Sequence, residues 1–213
     1  LATCNSEFVV EYHGTYLSNG GEYAWIVMEL CEAGSVNDLM FICERTLTEP
    51  QIRMVTASVL MGLQYIHEHN CIHRDIKAAN VLLCTDDDLR PGLKLTDFGL
   101  AHAVESERGV TKRSGTPRYM APEQFQGHWR DYGPWTDLYA LGVLAWELSA
   151  GRAPFPERDV EALASAHLSR ELPRHYPRRT VPEGFAAWLV RLLETEPHRR
   201  FQRAADAAAA LMA

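Results

Sequence analysis

The chain has 213 residues, of which 46% are hydrophobic and 23% charged, a composition typical of a globular domain with a substantial core. Its formal net charge is -7 and its basic residues are scattered, so we expect no nucleic-acid partner. The longest apolar stretch, Leu138 to Trp146, is shorter than the roughly 20 residues that span a bilayer, so we expect no membrane segment. The five cysteines lack C-x-x-C spacing and favour reduced thiols in a cytoplasmic protein.

Two β-rich runs and a long helix are predicted in the first third of the chain. The runs cover residues 8–16 and 23–30, and the Asn-Gly-Gly sequence between them is typical of a hairpin turn. A helix is predicted to start after Thr48, which can cap it, because Gln51 lies three residues further on as in a capping box. Apolar residues then recur at helical spacing as far as Ile66.

The segment 71–84 concentrates polar residues between two apolar runs. Five of them lie within eight positions: His73, Arg74, Asp75, Lys77 and Asn80. Such a loop suits chemistry on a phosphate, because Asp75 can accept a proton from a hydroxyl and Lys77 can neutralise phosphoryl oxygens. We therefore expect a catalytic loop here.

A metal ion is predicted beside this loop. The side-chain oxygen of Asn80 is one candidate ligand, and the carboxylate of Asp97, directly before Phe98-Gly99, is the second. The nearby His67, His69, Cys71 and His73 do not have the spacing of a zinc site, so we do not expect a metal there.

The second half of the chain is predicted to be helical. Residues 136–148 are apolar nearly all round, which a helix tolerates only when protein surrounds it. Two amphipathic helices are expected at residues 185–193 and 201–212.

The ordered motifs resemble those of a protein kinase. They are His73-Arg74-Asp75 with Asn80 five residues after the Asp, then Asp97-Phe98-Gly99, then Ala121-Pro122-Glu123. The first half is similar to sterile-group kinases, and the second half to bacterial kinases. The resemblance implies an α+β fold and one kinase domain over residues 1–213. Residues 1–31 would be a remnant of the β small lobe and the hinge, and residues 32–213 the mainly helical large lobe.

The resemblance also implies a reaction. A protein kinase transfers the γ-phosphoryl group of ATP, with Mg²⁺, to a hydroxyl of a protein substrate. Asp75 would orient and deprotonate the hydroxyl, Lys77 would stabilise the transferring group, and Asn80 and Asp97 would hold Mg²⁺. Thr116 resembles the threonine that serine/threonine kinases bond to the catalytic Asp and Lys, so Ser or Thr is the implied acceptor.

A nucleotide pocket is implied at the end of the second β-run. There adenine would bond to the backbone around Glu29 and Cys31, with Met28 as gatekeeper, and Ser35 or Asp38 could reach the ribose. Plain core packing is the alternative role of Met28.

Regulatory and structural roles are implied for other residues. Arg74 could pair with a phosphate on the activation segment, residues 97–123, where Thr111 and Ser114 are candidate acceptors or ordinary loop hydroxyls. Asp137 would bond to the backbone of the catalytic loop, in which His73 has a structural role. Arg200 would pair with Glu123 and brace the fold.

Three expected kinase parts do not precede the first β-run: a Gly-rich loop, a strand Lys and a helix Glu. We therefore expect a kinase domain truncated at its N-terminus, from a larger enzyme. The alternative is a pseudokinase adaptor or regulatory binding module, which would not need both metal positions. A small-molecule phosphotransferase is disfavoured by Ala121-Pro122-Glu123. Without earlier strands, Val9, Val10, Ile26 and Val27 are expected to form an edge that faces water.

Overall fold

The computed structural model describes residues 6–18, 21–45, 47–85, 91–97, 115–169 and 171–212. Its strands are β1 (Tyr12–Ser18), β2 (Tyr23–Met28), β3 (Val81–Thr85) and β4 (Pro91–Leu95). Its α-helices are α1 (Val36–Ile42), α2 (Glu49–Glu68), α3 (Pro122–Gln126), α4 (Pro134–Ala150), α5 (Val160–Leu168), α6 (Phe185–Leu192) and α7 (Ala204–Met212). The described strands pair as two antiparallel hairpins, β1 with β2 and β3 with β4. The predicted α+β class is confirmed.

The residues of the first predicted β-run pair with two different strands, β2 and β4. The strand β1 begins at Tyr12, which pairs with Met28 of β2. The residues before it lie against β4 instead, because the Val10 N–H donates to the Leu95 carbonyl at 2.9 Å and the Leu95 N–H to the Phe8 carbonyl at 2.9 Å. Val9 and Val10 are consequently 1% and 2% exposed, so the expectation that they face water was wrong. Ile26 and Val27 of β2 are exposed as expected.

The core is built around α2 and α4. In α2 the expected cap is present: the Thr48 N–H donates to Gln51 Oε1 at 2.8 Å. Every residue of α4 from Thr136 to Ala150 is buried, because α2 and α6 pack against it. Gly151 ends α4 in the left-handed region at φ 72°, and its N–H donates to the Glu147 carbonyl at 2.8 Å. In the part of the chain that the structure describes, no helix has the length and apolar character needed to cross a membrane.

Two of the cysteines pair across the fold. Cys31, just after β2, and Cys84, in β3, form a disulfide with their Cα atoms 4.7 Å apart. The expectation of reduced thiols is wrong for this pair, and the argument from thiols to a cytoplasmic location loses that support. Among the described residues, Cys43 and Cys71 are free. An oxygen of Glu29 lies beside the two sulfur atoms, but disulfide sulfurs are poor metal ligands because the thiolate is the ligating form.

Candidate active site

Asp137 fixes the loop that follows α2. It lies in the first turn of α4, and its carboxylate accepts the backbone N–H groups of His73 at 2.8 Å and Arg74 at 2.7 Å. It also accepts from Nε2 of His67 at 2.8 Å. Burial raises the pKa of the Asp137 carboxyl, but the hydrogen bond and charge of His67 outweigh it, so the net pKa is lowered. A buried carboxylate on the central helix therefore holds the loop backbone.

His73 connects this loop to the segment that leads to Asp97. Its Nε2 donates to the Thr96 carbonyl at 2.9 Å, and its Nδ1 accepts the Asp75 N–H at 3.3 Å. Burial lowers the pKa of the His73 imidazole, which favours the neutral form that this pattern requires. His69 has a separate partner, the Tyr65 carbonyl at 2.8 Å. The histidines of this region therefore have separate hydrogen-bond partners.

Asp75, Lys77 and Thr116 form a hydrogen-bonded cluster. Oδ1 of Asp75 accepts both the N–H and the hydroxyl of Thr116, each at 2.8 Å. Lys77 Nζ donates to Oδ2 of Asp75 at 2.6 Å and to the Thr116 hydroxyl at 2.9 Å. The side chains of Asp75 and Lys77 remain 28% and 25% exposed. These three donors, from Thr116 and Lys77, orient the carboxylate together with the Asn80 amide described below, and the carboxylate is still accessible from solvent.

Asn80 and Asp97 offer oxygen atoms at the edge of this cluster. The amide nitrogen of Asn80 donates to the Asp75 carbonyl at 2.9 Å and to Asp75 Oδ2 at 3.1 Å, and among the described residues its amide oxygen accepts no hydrogen bond. The Asn80 backbone carbonyl accepts the Thr96 N–H at 3.1 Å, which brings Asp97 close to it in the fold. The Asp97 carboxylate is exposed. An amide oxygen and a carboxylate fit Mg²⁺, which prefers oxygen ligands and retains several waters.

The backbone of Asp97 is held in an uncommon conformation. Its φ is 63°, in the left-handed region that L-residues other than Asn and Asp rarely adopt. Such a conformation costs about 1–3 kcal/mol and persists where surrounding contacts enforce it. Phe98 and Gly99, which follow it in the motif, lie outside the described residues.

Arg74 has donor atoms with no acceptor. Its Nε and Nη2 are buried and, among the described residues, have no hydrogen-bond partner. Its backbone carbonyl accepts from Gln124 Nε2 at 3.1 Å, so α3 lies directly beside it. Buried donor atoms without an acceptor are costly, and an anion that reached Arg74 would satisfy them. Thr111 and Ser114, the predicted phosphate carriers, lie outside the described residues.

The predicted hinge follows β2. Met28 is 39% exposed, so the alternative of core packing does not describe it. The Glu29 carboxylate accepts from Lys94 Nζ at 2.5 Å and from the Glu11 N–H at 3.1 Å. Burial raises the pKa of Glu29, but these hydrogen bonds outweigh it and the net pKa is lowered. Among the described residues, the Glu29 carbonyl and the Cys31 N–H are in no backbone hydrogen bond.

Ser35 and Asp38 are occupied in capping α1. The Ser35 hydroxyl and N–H donate to Asp38 Oδ2 at 2.6 and 2.8 Å, and the Asp38 N–H donates back to Ser35 Oγ at 3.3 Å. Hydrogen bonds from Ser35 lower the pKa of the Asp38 carboxyl. The cap lies against β3, because the Leu83 N–H donates to the Gly34 carbonyl at 2.8 Å. Their contact with a ribose stays a prediction.

Glu123 and Arg200 join α3 to the last third of the chain. Their side chains form an ion pair. The Glu123 carboxylate also accepts the Thr136 hydroxyl at 2.8 Å, and the Arg200 guanidinium donates to the carbonyls of Glu194 at 2.6 Å and Thr195 at 2.9 Å. Both side chains are buried with every charge paired. This ion pair therefore holds α3 in position and has a structural rather than a chemical role.

Sequence reasoning missed several polar residues near the cluster. Gln124 bonds to the Arg74 carbonyl, and the Tyr119 hydroxyl donates to Glu147, a carboxylate in the otherwise apolar α4. A lone acid in an apolar helix was the available signal for Glu147, since a buried charge requires partners. Nothing in the local sequence around Gln124 indicates its contact.

Comparison with known proteins agrees with this geometry. The protein kinase domain family matches residues 1–211. The chain is also similar to the "Serine/threonine-protein kinase cst-1" of Caenorhabditis briggsae, with 41% identity over 160 residues. That match covers 74% of this chain and 30% of the relative, so the chain spans about a third of the length of the relative. Because the family matches nearly its whole length, the chain belongs to the protein kinase family.

Proposed function

We propose that the protein transfers the γ-phosphoryl group of ATP to Ser or Thr hydroxyls of protein substrates. The observation that carries this proposal is the orientation of the Asp75 carboxylate by Thr116 and Lys77. An oriented, accessible carboxylate can receive the proton of a substrate hydroxyl that approaches it. The hydrogen bonds from Thr116 and Lys77 hold it in position for that contact.

Lys77 and the metal ligands act on the phosphate. The Lys77 ammonium bonds to Asp75 and Thr116 at the same time, so it lies where both the carboxylate and an incoming phosphoryl group can reach it. Asn80 and Asp97 would hold Mg²⁺, which supplies positive charge to the phosphate oxygens. These residues stabilise charge rather than form covalent bonds, as phosphoryl transfer requires.

The nucleotide is proposed to lie between the β1–β2 hairpin and β3. Residues 1–31 would then contribute the hinge and residues 32–213 the metal and acceptor sites. The Glu29 carbonyl and the Cys31 N–H, which form no backbone hydrogen bond within the described part of the chain, support adenine binding at the hinge. The disulfide from Cys31 to Cys84 supports this arrangement, since it holds the hinge against β3.

The acceptor type follows from Thr116. Its hydroxyl and N–H both bond to Asp75, and Lys77 bonds to the same hydroxyl, the contact pattern that the resemblance associates with serine/threonine kinases. The similarity to a serine/threonine kinase supports the same acceptor.

The proposal is tested with Asp75→Asn in the full-length protein. Asparagine has nearly the same shape as aspartate and can still form hydrogen bonds, but its amide cannot accept the proton of the substrate hydroxyl. We expect phosphate incorporation into a generic protein substrate to fall by at least about 10² while ATP binding persists. Asp131→Asn, at an exposed carboxylate outside the cluster, is the matched control and should keep full activity.

The same experiment separates a kinase from an adaptor. Transfer by Asp75→Asn within threefold of wild type would remove Asp75 from the mechanism. If the wild-type protein transfers no phosphate to the substrate, and wild type and Asp75→Asn bind a protein partner equally well, the adaptor is favoured.

A further inference from the structure

A polar cavity of about 460 Å³ lies next to the catalytic cluster. Lys77 and Thr116, which bond to each other and to Asp75, line this cavity, so a peptide that presented a hydroxyl to Asp75 would lie next to it. The other charged residues that line the cavity are three arginines and one glutamate: Arg45, Arg118, Arg152 and Glu147. The cavity is thus the place where residues flanking the acceptor would be selected.

The charge of this cavity is opposite to that of the chain. The whole chain has 28 acidic and 21 basic residues, whereas four basic side chains and one acidic side chain line the cavity. Lys77 is neutralised by Asp75. The local excess of positive charge therefore depends on the three arginines.

Glu147 is not available to attract a basic substrate. It is buried, it accepts the hydroxyl of Tyr119, and it pairs with Arg45 at 3.2 Å. Burial, with the nearby Glu147 charge, raises the pKa of the Tyr119 phenol, so this hydroxyl keeps its proton and remains a donor. Arg45 and Glu147 consequently cancel each other.

Arg118 and Arg152 remain as uncompensated cations. Arg118 lies two residues after Thr116, and Arg152 directly follows Gly151 at the end of α4. In the described ranges neither guanidinium forms an ion pair with a carboxylate. Guanidinium groups bind carboxylates and phosphates through paired hydrogen bonds, which gives both energy and geometric selectivity.

We propose that Arg118 and Arg152 select acceptor peptides with acidic residues next to the phosphorylated Ser or Thr. This inference rests on the proposed function, because it places the peptide at Asp75. The recognised chemistry is a carboxylate within a few residues of the acceptor hydroxyl. Arg118 and Arg152 are specificity-determining residues and take no part in proton transfer.

The test uses the full-length protein and three serine peptides of equal length. The residues flanking the serine are Asp and Glu in the first peptide, Ala in the second, and Arg and Lys in the third. We expect kcat/KM to be highest for the acidic peptide and lowest for the basic one. Arg118→Gln and Arg152→Gln should each lower the acidic-to-neutral ratio of kcat/KM about threefold to tenfold, mainly through KM. Raising the salt concentration should reduce the ratio in the wild type.

Charge reversal and a matched control complete the design. Arg118→Glu combined with Arg152→Glu should make the basic peptide the preferred one. Arg53→Gln removes an exposed arginine on α2 that pairs only with Glu49 among the described residues, and it should leave the ratio unchanged. Equal use of the three peptides by the wild type, or a ratio unaffected by both Gln variants, would overturn the inference.

Peptide binding distinguishes this inference from the proposed function. Fluorescence anisotropy of the labelled peptides measures selection without any transfer. If no peptide is phosphorylated but the acidic one binds best and loses affinity in Arg118→Gln, the proposed function fails and the selection stands. If the peptides bind alike, the selection fails even when serine is phosphorylated.

Discussion

Glu123 and Arg200 lie 77 positions apart in the sequence and form a bidentate ion pair, with both N–O distances at 2.9 Å. The pair is buried and has additional hydrogen bonds from Thr136 and to backbone carbonyls. Arg200 lies in the loop before α7 and Glu123 lies in α3. The ion pair therefore connects these two segments beside α4, which contributes Thr136.

Arg200→Ala should destabilise the protein by about 3–5 kcal/mol, because it leaves the Glu123 carboxylate buried without a counter-charge. Urea unfolding of wild type and variant measures the difference. Arg203→Ala removes an exposed ion pair with Asp206 and should cost far less, because solvent screens exposed charges. Equal losses for the two variants would contradict the bracing role of Arg200.

Asp97→Asn should weaken nucleotide binding in the presence of Mg²⁺ and change it little in the presence of EDTA. The substitution removes the negative charge that a divalent cation requires while keeping the size of the side chain. Calorimetric titration of ATP with and without Mg²⁺ in the full-length protein measures this dependence. An unchanged effect of Mg²⁺ in the variant would exclude Asp97 as a metal ligand.

Activity should depend on a phosphate that reaches Arg74. The buried Nε and Nη2 atoms of Arg74 have no acceptor among the described residues, and a phosphorylated Thr111 or Ser114 would supply one. We expect Thr111→Ala or Ser114→Ala to lower activity with the thermal unfolding temperature unchanged. Thr111 is preferred because Ser114 is only two residues before Thr116. Mass spectrometry of fully active protein that shows both residues unmodified would refute this prediction.

Acid should destabilise the fold through His167. Burial lowers the pKa of this imidazole to about 4 from 6.5, and its Nδ1 contacts the Tyr139 hydroxyl at 2.8 Å. The unfolded chain therefore binds a proton that the folded protein does not. The stabilisation is fully present above pH 6.5 and is lost as the pH falls from 6.5 towards 4. About 2 kcal/mol should disappear between pH 7.5 and pH 5.

The pH dependence is measured by urea unfolding at several pH values. His167→Gln should reduce the slope rather than abolish it, because burial also lowers the pKa of His73 and His175. His198→Gln, at an exposed position, is the control and should leave the slope as in wild type. A slope that is the same in His167→Gln and wild type would show that His167 does not titrate on unfolding.

Features that depend on residues close together in the chain could be predicted from the sequence. The start of α2 depends on Thr48 and Gln51, three residues apart, and its buried face on apolar residues at helical spacing, so both were predicted and are present. Asp75, Lys77 and Asn80 lie within six positions of one loop, so their proximity followed from the sequence. The family resemblance further indicated the partners of Asp137, Thr116 and Arg200.

Tertiary structure decided the contacts between distant segments. Val9 and Val10 are apolar in a β-rich run, and only the presence of β4 beside them determines that they are buried rather than exposed. The pairing of Cys31 with Cys84 depends on the segment after β2 lying against β3, 53 positions away, which no spacing along the chain reveals. The grouping of Arg118 and Arg152 around one cavity has the same cause. Hydrophobic periodicity and capping act over a few residues, whereas burial, charge pairing and cavities depend on which segments the folded core brings together.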